Sequence, residues 1–76
     1  MTDYRTQMLT DVLASLESAK RREGRLFGAY KKHGNIPDAT KTLARYNNLE
    51  NQIAFMSDTF NLQRKWKSHK LKLEEI

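Results

Sequence analysis

This 76-residue sequence predicts an all-α fold, an antiparallel hairpin of two long helices over about residues 3–33 and 36–70. Three observations predict it. Turn chemistry is concentrated in one place, Gly34 to Pro37. Apolar residues recur at steps of three and four on both sides of that place, and strand alternation fits neither side. Folding the chain there brings the two apolar seams into one register, which a misplaced turn would not do.

The first helix is read from Leu9, Val12, Leu16, Ala19, Leu26 and Tyr30, with Glu23 as the one polar interruption. Gly24 and Gly28 each cost a helix interior about 0.5–1 kcal/mol relative to Ala. The apolar register survives both, so a continuous or gently kinked helix is expected. Lys31 and Lys32 suit a helix C-terminus, and Gly34 suits the left-handed position just beyond it. Asn35 is then the N-cap of the second helix, Pro37 is tolerated in its first turn, and Asp38 sits near its positive end.

The second helix carries Ala39, Leu43, Tyr46, Leu49, Ile53, Met56 and Phe60. In the predicted register Tyr30 faces Ala39, Leu26 faces Leu43, Glu23 faces Tyr46, Ala19 faces Leu49, Leu16 faces Ile53, Val12 faces Met56 and Leu9 faces Phe60. Glu23 is thus the semi-buried carboxylate, with a role in register or orientation and support from Lys20, Arg22 or a Tyr hydroxyl. The register exhausts the first helix near Thr2 and Lys67. The whole chain is read as one domain, with residues 68–76 an overhanging or frayed tail.

Two helices do not use all the large apolar residues. Phe55, Leu62 and Trp66 form a second stripe at helical spacing, and Met8 and Leu13 flank the first seam at the same end. A single core in so short a chain supplies roughly 3–5 kcal/mol, and no cysteine is present to add a disulfide or a thiolate metal site. Self-association into a homodimeric four-helix bundle is therefore expected, with Met8, Leu13, Phe55, Leu62 and Trp66 as the protein interface.

Fourteen Lys and Arg against nine Asp and Glu give a net charge of +5, which favours anionic partners. Arg21, Arg25, Lys31 and Lys32 lie on one strip with Gly24 and Gly28 between them. A second basic segment runs from Arg64 to Lys72 around Trp66. Catalysis is not expected. Two helices enclose no water-excluding pocket, and His33 and His69 fall at opposite ends of the hairpin. No phosphate-binding glycine loop, nucleotide fingerprint or calcium loop occurs, so neither cofactor nor metal is expected.

These features point to a small regulatory interaction protein that docks on another macromolecule, first of all a protein. The alternative is a nucleic-acid-binding regulator that uses Arg21, Arg25, Lys31, Lys32, Arg64, Lys65 and Lys67. Attachment to a membrane surface through the C-terminal segment ranks third. Met1 to Arg5 holds no apolar run of the secretory kind, no stretch approaches a membrane span, and a cytoplasmic location is expected. The expected architecture resembles the small dimeric hairpin regulators of plasmids and phages, a likeness of shape that carries no residue across.

Overall fold

The computed structural model describes residues 3–76. Helix α1 spans Tyr4–Lys32 and α2 spans Ile36–Thr59; an extended tail follows, closed by one 3-10 turn at Leu73–Glu75. The two helices pack as an antiparallel hairpin about 49 Å long and 16 Å across. Helix α1 runs unbroken through Gly24 and Gly28.

The turn is built as its residue types dictate. Gly34 takes φ 71°, the left-handed region that a side chain disfavours. The amide of Asn35 then donates to Tyr30 O at 2.8 Å and that of Gly34 to Lys31 O at 3.1 Å, so the last carbonyls of α1 are satisfied. The Asn35 side chain accepts from the Asp38 amide, and Pro37 lies in the first turn of α2.

The far end of α2 differs from the expectation. The helix stops at Thr59 instead of continuing to residue 70. Asn61 adopts φ 53°, and the Leu62 amide donates to Ser57 O at 2.9 Å, the same helix-ending hydrogen bond that Gly34 permits at the end of α1. The local reason is composition: Ser57, Asp58, Thr59 and Asn61 are all weak helix formers, and Asn is the residue that best tolerates the left-handed region after Gly. Leu62 and Trp66 are therefore not on a helical stripe with Phe55.

Residues 68–76 do not overhang. The tail reverses at Asn61 and returns along the hairpin as a strap. Asn47 holds it by both backbone groups of Leu71: its Nδ2 donates to Leu71 O and its Oδ1 accepts from Leu71 N, each at 2.8 Å. Further on, Leu71 and Ile76 pack with Tyr30 against the buried cluster of Phe27, Ala39 and Leu43.

The strap also explains a rotation of the buried stripe. On α1 the buried residues are Leu13, Glu17, Lys20 and Phe27, while Val12 and Leu26 are exposed. Leu43 accordingly clusters with Phe27 rather than Leu26, and Tyr46 lies against Gly24 rather than Glu23. A Cβ on Gly24 would stand 3.1 Å from Tyr46 Cε2, so this glycine permits a close approach. Glu23 pairs with Arg45 at 3.1 Å. One residue is about 100° of helix, and the stripe has turned by that step toward the junction where α1, α2 and the strap meet.

Candidate functional site

Two carboxylates seat the strap. Glu50 on α2 is 1% exposed. Arg64 reaches it with both terminal nitrogens, Nη1 to Oε2 at 2.7 Å and Nη2 to Oε1 at 2.6 Å. Ser68 Oγ donates to Oε2 at 2.7 Å, the His69 amide donates to Oε1, and Lys20 from α1 completes the ring as an ion pair. The Arg64 fork holds the Glu50 carboxyl far below the usual carboxylate range; Lys20, Ser68 and the His69 amide act in the same direction, and burial opposes them. The same pairing raises the Arg64 guanidinium. One carboxylate thus ties both helices and the strap together.

Glu17, on α1, is 4% exposed and binds main chain instead of side chains. The Lys65 amide donates to both of its oxygens, at 3.1 and 3.2 Å, and the Trp66 amide donates to Oε2 at 3.2 Å. Two consecutive amides turned to one carboxylate form a small anion nest, satisfying backbone groups that an extended segment otherwise leaves to water. Nearby, Tyr46 Oη and His69 Nδ1 are 2.8 Å apart, with the rings edge to face and the Lys20 ammonium 4.8 Å from the Tyr46 ring. Burial, and after it Glu50 and Glu75, raises the Tyr46 hydroxyl.

Trp66 lies against the flank of α1. The Arg21 guanidinium sits 4.4 Å from its ring centre and the Lys65 ammonium 4.8 Å. Beside it a cleft of about 310 Å³ opens between helices and strap, lined by Glu17, Lys20, Arg21, Tyr46, Arg64, Trp66 and Lys67. A separate hollow is lined by Ser18, Arg21, Arg25 and Trp66.

A groove of about 480 Å³ lies elsewhere on the hairpin, between Val12 and Leu16 of α1 and Asn51, Gln52, Phe55 and Met56 of α2. It shares no residue with the seat of the strap. Val12 is one helical step from buried Leu13 and is half exposed, and Phe55 is 68% exposed. No charged residue lines this groove.

The residues expected at a protein interface are thereby separated. Met8 and Phe55 are exposed, Leu62 is half-buried beyond the end of α2, and Trp66 is on the strap. Leu13 is 2% exposed, covered by the chain itself, so it presents no open surface. Of the basic set, Arg64 is consumed by Glu50 and Arg21 is stacked on Trp66. Arg25, Lys31, Lys32, Lys65 and Lys67 are exposed.

The sequence pattern does not single out Glu17, Glu50 or Asn47, and it assigns Lys20 to Glu23, whereas Lys20 pairs with Glu50 and Glu23 with Arg45. A signal was present. Leu13, Glu17, Lys20, Gly24 and Phe27 keep steps of four and three, and the predicted register sets Lys20 almost opposite Glu50. A seam sought among apolar residues alone misses it. Among the described residues no group of three His, Cys, Asp or Glu side chains could hold a metal ion. Among the described residues no helix is long and apolar enough to cross a membrane. No protein-family model matches the chain, and neither a curated protein nor a solved structure matches it.

Proposed function

We propose that this chain is a non-enzymatic helical interaction protein whose bare groove around Phe55 receives another helical surface, in the first instance that of a second copy, to form a homodimeric four-helix bundle. The observation that carries the reading is the exposure of Phe55 beside Val12, Leu16 and Met56 on a face without charge. Burying a side chain of this size is worth about 1.5–3 kcal/mol, and aromatic anchors dominate binding energy at interfaces. An uncharged face also lets two copies that each carry +5 approach without placing like charges in contact.

Sedimentation of the full chain at micromolar concentration tests this reading. The expected result is a dimer that Phe55→Asp converts to a monomer of unchanged helicity. A wild-type monomer, or a Phe55→Asp dimer, contradicts it.

A second reading, as a nucleic-acid-binding regulator, is favoured by one observation: Lys65, Lys67, Lys70 and Lys72 are all exposed along the strap. Arg64 has no part in it. Binding to DNA or RNA would then fall steeply with salt, since phosphate neutralisation releases counterions. Absence of binding to either at ~50 mM salt, where such contacts are strongest, ends this second reading.

A further inference from the structure

We propose that the cleft beside Trp66 is a binding site for a small phosphate-bearing anion. This inference is independent of the bare groove and of any dimer. It rests on three observations.

The first is charge. Lys20, Arg21, Arg64 and Lys67 line the cleft, whereas the carboxylates at hand are Glu17 in its wall and Glu50 behind it. Glu17 is already bound by two main-chain amides, and Glu50 by Arg64, Lys20, Ser68 and His69. Neither Arg21 nor Lys67 is in an ion pair among the described residues. The cleft therefore carries two cations in excess, and they are the two with no carboxylate of their own.

The second is an unmet donor. Arg64 spends Nη1 and Nη2 on Glu50, and its buried Nε has no hydrogen-bond partner. A buried guanidinium N–H without an acceptor is costly, and Arg64 is one of the cations that line the cleft. Phosphate offers several acceptor oxygens to the cations that line the cleft and have no carboxylate of their own, Arg21 and Lys67.

The third is shape. The cleft, at about 310 Å³, is at the lower end of the range for small-molecule pockets, about 300–1,000 Å³. Tyr46 and Trp66 supply aromatic walls, and Trp66 holds Arg21 by cation–π contact, which fixes that cation without neutralising it, whereas Lys20 is already paired with Glu50. A nucleotide's phosphate and free inorganic phosphate share this chemistry, and the experiment separates them.

Trp66 is the only tryptophan and lines the cleft, so its emission reports occupancy in the full chain. The test titrates inorganic phosphate at constant ionic strength, with chloride as the replaced anion, and repeats the titration with adenosine monophosphate. The expected result is a saturable change in Trp66 emission in the millimolar range or tighter, with affinity reduced about tenfold or more in Lys67→Ala. Lys67 is exposed and makes no buried contact, so that variant is expected to fold; equal helicity and melting temperature check that it has. Adenosine monophosphate binding at least tenfold tighter than phosphate identifies a nucleotide as the source, and equal or weaker binding identifies free phosphate. A linear, non-saturating response to both anions, or a saturable one that Lys67→Ala leaves unchanged, overturns the proposal.

Discussion

The two long faces of the hairpin come from the same two helices, yet they are finished in opposite ways. One is covered by the strap and sealed with charge, through Glu17, Glu50, Lys20 and Arg64, all of them largely buried. The other is left bare and is lined by apolar and uncharged polar residues, with Phe55 the most exposed of the apolar ones. Apolar character therefore marks the open side of this molecule and ionic character the closed one. A short extended segment explains the inversion. It has no backbone partners of its own, so the surface that seats it must supply carboxylates and an amide for its N–H groups.

The largest effect is expected at the closed face. Glu50→Ala leaves Arg64 and Lys20, both largely buried, without their counter-charge, and such breaks cost about 3–5 kcal/mol. Chemical denaturation monitored at Trp66 measures it. Acid probes the same group without mutation. The folded-state pKa of Glu50 is depressed, so its stabilisation is present above the ordinary carboxylate range, near pH 4.3, and is lost as pH falls below it. Stability of the wild type is expected to decline through that window, and Glu50→Gln to decline less.

Asn47→Ala removes both hydrogen bonds to half-buried Leu71 and leaves its amide and carbonyl without that partner, for an expected loss of about 1–2 kcal/mol. The strap is expected to loosen at its distal half while the Glu50 ring persists, which amide exchange resolves residue by residue. Asn61→Gly acts in the other direction. It relieves the left-handed residue where the strap reverses and is expected to stabilise by a few tenths to about 1 kcal/mol, read as a shift of the denaturation midpoint. Phe55→Asp, on the bare face, is expected to change the stability of the monomer by no more than about 0.5 kcal/mol while abolishing association.

The same contrast accounts for what was legible in the sequence. The turn was readable residue by residue because Gly34, Asn35, Pro37 and Asp38 act locally, through φ preference and capping. The end of α2 carried a weaker signal, since Asn61 does the work for which a glycine would have been conspicuous. The strap was not legible by periodicity at all. An extended segment held by Glu17, Glu50 and Asn47 has no period, and its partners lie 14 to 49 positions away in the chain. Trp66 was misplaced for the same reason: helical spacing from Phe55 and Leu62 is meaningful only while the helix continues, and it ends at Thr59.

Amide hydrogen exchange of the full chain tests most directly whether the strap is docked along the hairpin. The amides of Lys65, Trp66 and Leu71 donate to Glu17 and Asn47, so they are expected to exchange far more slowly than the free-peptide rate and to lose that protection in Glu17→Ala and Asn47→Ala respectively. Exchange of all three at the free-peptide rate in the wild type, while the amides of α1 and α2 stay protected, would contradict the docked strap and with it the closed face of the hairpin.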